Sequence, residues 1–463
     1  MPKKRKLKLG KRTYVLEQDY YKYELRDVKD PNLHRTIFSY EEVPKIPFNH
    51  RHVPIAMPKE IWITDTTFRD GQQARPPYTV DQIVHLYKFL HRLGGPKGKI
   101  RQTEFFLYSE KDREAVKACQ ELGYKYPEIT GWIRANRKDL DLVKQMGLKE
   151  TGMLTSCSDY HIFFKLKKSR KQAMDEYLDV VKATLDEGII PRCHFEDATR
   201  ADFFGFVIPF AQELMNLSKQ YGMPVKIRIC DTMGYGVPYS GASTPRGIHQ
   251  IMYNMRYYSG VPSEWLEWHG HNDFHKVLIN ASTAWLYGCA AANGTLLGLG
   301  ERTGNPPIEA LVFEYAGLRG TLDGMHTPVI TEIAHYFRSE IGYQIPPNFP
   351  FIGADFNTTK AGIHADGVLK NEEIYNIFNT EKFLHRPLVV AINDKSGLAG
   401  VAFWVNSMLG LKGDKRLDKR DEGVKQLYEW VVGQYENGRT AEISNDEMLH
   451  AAQRVMPKKF RRF

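Results

Sequence analysis

From residue 61 onward the chain alternates short β-like runs with amphipathic helical segments, and does so eight times before the pattern changes. The strand candidates are 61–68, 100–107, 128–135, 150–157, 190–197, 225–232, 266–273 and 295–302. Between them lie helical stretches at 79–94, 112–123, 138–147, 170–188, 206–222 and 248–260, with 306–320 as the eighth, several of them closed by a glycine where a left-handed cap is wanted. Strand alternating with helix implies a parallel sheet, and eight such units within about 260 residues match an α/β fold of the (β/α)8 TIM-barrel type. The reading divides the chain into a basic, aromatic extension at 1–58, a barrel at 59–325, a linker subdomain at 326–395 and a helical region at 396–463. The extension, rich in proline near its end, is expected to wrap the barrel, and the region after it to be smaller and mostly helical.

Composition narrows the class. Of 463 residues 42% are hydrophobic and 26% charged, and no apolar run is long enough to span a bilayer. The net charge of +9 would hint at nucleic acid if it were spread over the body. Instead, residues 1–12 hold seven Lys or Arg and no acid, and Lys458, Lys459, Arg461 and Arg462 hold four more. The body is nearly neutral, and nucleic acid is not an expected partner. Pro2–Lys6 resembles a nuclear localisation signal, but a solvated basic tail is the simpler reading. The five cysteines are scattered, without a Cys-x-x-Cys pair or a secretory signal, which fits reduced thiols in a cytoplasm.

Barrel enzymes place their chemistry at the carboxyl ends of the strands. Polar residues gather there: Asp70 after strand one, Glu104 in two, Arg134 in three, Glu196 and Asp197 ending five, Thr232 ending six, His269 and His271 in seven, and Glu301 with Arg302 ending eight. Residues two apart on a strand face the same way, so His269 and His271 can converge on one ion while Gly270 faces away. Two imidazoles with a carboxylate suit Mn, Mg, Fe, Co or Zn, and they leave positions open for a substrate's oxygens. A His-x-His pair alone is weak evidence, since core histidines are commoner than ligands.

Five ordered motifs carry a resemblance. They are Asp-Thr-Thr-Phe-Arg-Asp-Gly-x-Gln at 65–73, Glu-Asp-Ala-Thr-Arg at 196–200, Asp-Thr-x-Gly at 231–234, His-x-His-Asn-Asp at 269–273 and Gly-x-Gly-Glu-Arg-x-Gly-Asn at 298–305. Together they resemble the DRE-TIM metallolyase superfamily, in its Claisen-condensing branch of isopropylmalate, homocitrate and Re-citrate synthases. The resemblance implies that Asp70, His269 and His271 ligate a divalent metal, Mn2+ first, with Mg2+ or Co2+ as alternatives. It puts Arg69 beside a bound 2-oxo acid, Arg134 and Thr232 on the acid's carboxylate, Glu196 near the acetyl group of acetyl-CoA, and Gln73 and Glu104 in support. His161 matches a family pattern whose role is structural or substrate-facing. His364 and Tyr375 match a pair supplied by the partner subunit, implying a homodimer with sites completed across subunits. His364 is the candidate base and Tyr375 a polarising or proton-relaying group.

Departures from the family narrow the substrate. Leu297 stands where isopropylmalate synthases carry asparagine, and His275 replaces a small residue, which fits a short polar acceptor. Gly298–Arg302 replaces the cysteine loop of the hydroxymethylglutaryl-CoA lyases. The leading expectation is condensation of acetyl-CoA with oxaloacetate to citrate. The alternatives are 2-oxoglutarate (homocitrate) and 2-oxoisovalerate (isopropylmalate), and, outside enzymes, a polyanion binder working through its basic tails.

Overall fold

The computed structural model describes Lys8–Leu9, Leu16–Glu17 and residues 21–461. The Pro2–Lys6 run and Arg462 lie outside the described residues. The strands are β1 (Trp62–Asp65), β2 (Ile100–Phe106), β3 (Glu128–Arg134), β4 (Glu150–Ser156), β5 (Ile190–Glu196), β6 (Lys226–Asp231), β7 (Leu266–Gly270) and β8 (Ala291–Gly294). They form a closed parallel barrel in sequence order, sealed by pairing of Ala291 with Trp62 through Gly294 with Asp65. The helices between and after them are α1 (Val80–Gly94), α2 (Glu110–Glu121), α3 (Arg137–Gln145), α4 (Arg170–Asp186), α5 (Ile208–Tyr221), α6 (Ile248–Tyr257), α7 (Val277–Leu286) and α8 (Ile308–Arg319). Their starts are written locally. Thr79, Ser109 and Ser169 each accept from the backbone three residues on, and the residue there reaches back to complete a capping box. Gly222 and Gly320 end α5 and α8 at φ of 65° and 68°.

The eighth strand corrects the expectation. It is Ala291–Gly294, not 295–302. The expected stretch is instead part of the loop that follows, with positive φ at Leu297, Gly298 and Arg302. Leu-Leu-x-Leu reads as a strand by hydrophobicity, whereas Ala-Ala-Asn-Gly has poor strand propensity and is a strand only because the barrel must close. Glu301 and Arg302 therefore lie beyond the strand, as exposed residues of that loop. Strand seven also ends earlier than expected, at Gly270.

Alternation along β5 explains the layers. Cys193 and Phe195 face outward, and Phe195 stacks on Phe210 of α5 at 5.0 Å. Arg192, His194 and Glu196 face inward. The interior is a network of charges rather than an apolar plug. Glu104 meets Arg192 at 3.0 Å and Arg228 at 2.9 Å, Arg228 meets Glu267 at 2.7 Å, and Arg192 meets Glu150 at 3.1 Å. Burial raises the Glu267 carboxyl, but Arg228 and Arg192 outweigh it and bring it down to about 2. Such pairs add little net stability, yet losing one partner strands a buried charge at about 3–5 kcal/mol. They also fix register, because a slip by one residue would send Arg228 into the helix layer.

The chain divides into two compact units, ending and beginning at His326 and Thr327. Within the first, residues 21–58 form no long regular element and lie along the loops after β4, β5 and β6. The second holds α9 (Val329–Ser339), α10 (Gly362–Lys370), α11 (Thr380–Leu384), α12 (Gly397–Met408), α13 (Glu422–Glu436) and α14 (Asn445–Val455). A two-residue parallel pair joins Thr358–Thr359 to Val389–Val390. Val401, Trp404, Val424, Leu427 and Met448 are in its core. His364 lies on the helix Gly362–Lys370, and Glu372–Ile374 beyond it is only a three-residue turn.

Candidate metal centre

β1 ends at Asp65, and the chain turns through Thr66–Arg69 into a four-residue helical turn that begins with Asp70. That turn delivers Asp70 to the two histidines: its Oδ2 lies 3.2 Å from His269 Nε2 and 3.7 Å from His271 Nε2. All three residues are buried, and their ligand atoms fall within 4.8 Å of one another. The two imidazoles meet edge to face at 5.1 Å. Although His271 lies one residue past β7, its N–H still bonds to Asp231 O at 3.3 Å, so the extended geometry that pairs it with His269 persists.

The electrostatics suit a divalent cation. Burial raises the Asp70 carboxyl, but Arg69 and both imidazoles outweigh it and hold it well below the usual carboxylate range. Burial takes His271 down to about 4, leaving a neutral imidazole as a lone-pair donor. Asp70 Oδ1 is buried without a hydrogen-bond partner, as a carboxylate oxygen aimed at a cation would be. One carboxylate and two imidazoles match Mn2+, Co2+ or Zn2+ with open positions. The residues fit a metal.

Neighbours set which histidine nitrogen is free. Asn293 on β8 turns its amide nitrogen toward Thr64, 3.0 Å from Oγ1 and 3.4 Å from the carbonyl oxygen, which can only accept. Its amide oxygen therefore faces His269 Nδ1 at 2.8 Å and accepts a hydrogen bond from its N–H, which leaves Nε2 unprotonated toward Asp70. The Thr64 hydroxyl in turn donates to Glu267, itself paired with Arg228. Arg69 is pinned too. Its Nε donates to Glu104 at 2.9 Å, its Nη1 lies 3.4 Å from Asp70, and its guanidinium sits over Trp132 at 5.5 Å. Neither Asn293 nor the Thr64–Glu267–Arg228 chain was among the expected site residues. The available signal was Glu267 two residues before His269, and Arg228 in mid-strand, on faces that must be buried.

The other expected residues separate into groups. Glu196, at the end of β5, is gripped by His161 at 2.9 Å, by Lys165 at 3.2 Å and by Ser156. Burial raises its carboxyl, but His161 and Lys165 outweigh that and bring it to about 2. Thr232 accepts from Asp197 N–H at 2.9 Å. Glu104 belongs to the barrel's charged interior as much as to Arg69. Arg134 stands largely exposed, its Nε and Nη2 donating to Asp139 at 2.9 and 3.0 Å. Gln73 is exposed, and Gln72 is the residue that ties the turn, to Phe68 O at 2.6 Å and Tyr78 N at 3.1 Å. His275 is likewise exposed, in a turn at φ 53°. In the second unit the His364 and Tyr375 rings pack at 4.3 Å. A Cβ on Gly367 would strike Tyr375 at 2.6 Å, so that position must lack a side chain.

The comparisons with known proteins bear on this arrangement. A family model described as HMGL-like matches residues 60–336. A citrate (Re)-synthase of Syntrophus aciditrophicus is 62% identical over 441 residues, 95% of this chain and 70% of that protein. A citrate (Re)-synthase of Clostridium kluyveri is 56% identical over 438 residues, 95% of this chain and 97% of that one. Hydroxymethylglutaryl-CoA lyase from Pseudomonas aeruginosa shares the fold, with a TM-score of 0.51 at 18% identity over 62% of this chain and 95% of that one. Barrel topology, the Asp-His-His cluster and a family match across more than half the sequence lead to one conclusion: the chain belongs to the HMGL-like family.

Proposed function

We propose that this protein condenses acetyl-CoA with oxaloacetate and hydrolyses the thioester, giving citrate and free coenzyme A. The observation that carries this reading is the near-full-length likeness to two citrate (Re)-synthases. When held by Asp70, His269 and His271, a divalent metal, with Mn2+ proposed ahead of Mg2+ and Co2+, supplies a Lewis acid for the acceptor's keto group. Arg69, fixed between Glu104 and Asp70, adds positive charge where the keto oxygen gains electrons. Thr232 and Arg134 hold the acceptor's carboxylate, with Gln73 at the rim. Glu196 and His161 face the acetyl group.

His364 takes a proton from the acetyl methyl, assisted by Tyr375, and the methyl carbon bonds to the keto carbon while the keto oxygen takes up a proton. Water then cleaves the thioester, and the thiol leaves as coenzyme A. His364 and Tyr375 are proposed to act on the site of a second copy in a homodimer. Ile363, Ile374 and Ile377, 76%, 53% and 66% exposed beside the pair, support docking of that copy. All five cysteines are buried and free, which supports a cytoplasmic setting; among the described residues no helix is long and apolar enough to cross a membrane.

The test is thiol release from acetyl-CoA by purified, Mn2+-replenished protein under anaerobic conditions, with oxaloacetate, 2-oxoglutarate and 2-oxoisovalerate offered separately. Preference for oxaloacetate supports the reading. Preference for either other acid keeps the chemistry and overturns the substrate, and no release with any of the three overturns the condensation.

A further inference from the structure

Residues 21–58 carry no catalytic motif, yet they are tied to the loops that bear one side of the barrel mouth. Arg26 N–H donates to Gly205 O at 3.0 Å after β5. Arg170, fully buried at the start of α4, donates to Arg26 O at 2.9 Å and to Asp202 at 3.0 Å, and clasps Asp159 with two bonds of 2.8 Å. Asn32 N–H closes on the same Asp159 carboxylate at 2.6 Å, and the Tyr160 hydroxyl donates to Leu33 O at 2.8 Å. Farther along, buried Phe38 packs on Tyr235 at 5.0 Å, and Arg246 donates to Pro44 O at 2.9 Å.

Asp159 and Tyr160 open the π-helical turn Tyr160–Lys165, the element from which His161 and Lys165 reach Glu196. A π-helical turn is rare and depends on its surroundings. Here those surroundings include a buried carboxylate shared by Arg170 and the extension, and a phenol bonded to the extension's backbone. The metal ligands come from other elements, the turn after β1 and the end of β7.

We infer that residues 26–38 are a positioning element for the acetyl-CoA side of the site: they seat the Tyr160–Lys165 turn so that His161 and Lys165 fix the Glu196 carboxylate. This rests on the function proposed above. Such a strap converts a mobile loop into a fixed wall, and a displacement of about 1 Å in a positioning group can cost on the order of 100-fold in rate.

Two full-length variants cut one tether each. Tyr160→Phe removes only the hydroxyl that meets Leu33 O and keeps the ring, and Asn32→Pro removes the N–H that Asp159 accepts. For both, kcat/KM for acetyl-CoA should fall about tenfold, while KM for the 2-oxo acid and Mn2+ affinity by calorimetry stay within about twofold. Hydrogen exchange at residues 158–166 should quicken. Unchanged acetyl-CoA kinetics in both variants overturns the inference. So does a parallel loss of acetyl-CoA kinetics, Mn2+ affinity and thermal midpoint, which would mark general destabilisation. If the wild-type protein condenses no 2-oxo acid, the proposed function fails, and the exchange at 158–166 with unchanged Mn2+ binding still decides whether the strap seats the turn.

Discussion

Asp70, His269 and His271 were legible because each signal is local: a carboxylate just past a strand and two imidazoles at strand period. Asn293, which sets the tautomer of His269, was not, because a neutral amide beside two alanines carries no periodic or charge signal. Its effect can be measured. Asn293→Ala should let the His269 ring turn and take either tautomer, weakening Mn2+ binding about 10- to 100-fold with the barrel intact. Calorimetric titration of metal-free protein checks this, and unchanged affinity would remove Asn293 from the centre. Arg134 and Gln73 show the converse: motif matching identified them, but their present placement at Asp139 and in solvent depends on side-chain partners that spacing does not encode.

Among the elements, seven strands were placed within a few residues because each run carries β-branched or aromatic residues. β8 was misplaced because Ala-Ala-Asn-Gly has none and is forced into the sheet by closure. The charged interior was hidden as well. Strands buried on both faces are expected to be apolar throughout, whereas β5 and β6 carry Arg192, His194 and Arg228 inward. His194 illustrates the consequence for pH. Burial first, then Arg228, lowers it from 6.5 to about 3, against the pull of Glu104. Its folded pKa lies below its unfolded one, so the unfolded chain gains a proton that the native barrel refuses, and stability drops as pH falls from 6.5 toward 3. By pH 5 this one group costs about 2 kcal/mol relative to pH 7. His194→Gln should shrink the difference in urea-unfolding free energy between those two conditions by about that amount; an unchanged difference would show that His194 is already charged in the fold.

At the scale of the molecule, the barrel and a helical second unit were both visible in the sequence, since a change in periodicity marks where the βα repeat stops. What spacing could not show is that His364 begins on a helix rather than in a loop, because Gly362 and Gly367 read as breakers. The proposed sharing of sites between two copies has a direct test. Mixing unfolded His271→Ala and His364→Ala proteins and refolding them together makes half the dimers mixed. Each mixed dimer keeps one intact site if His364 serves the partner, so activity should recover to about 25% of wild type. Recovery absent from a mixture that has formed dimers would mean that each copy uses its own His364.

In the proposed reaction, a metal held by Asp70, His269 and His271 enables the condensation. The most direct measurement follows labelled citrate formed from isotopically labelled acetyl-CoA and oxaloacetate, using chelator-stripped protein before and after Mn2+ is restored, beside His271→Ala of verified fold. Citrate is expected only from the Mn2+-restored wild type. Citrate from the stripped protein, or from His271→Ala at the wild-type rate, would contradict it.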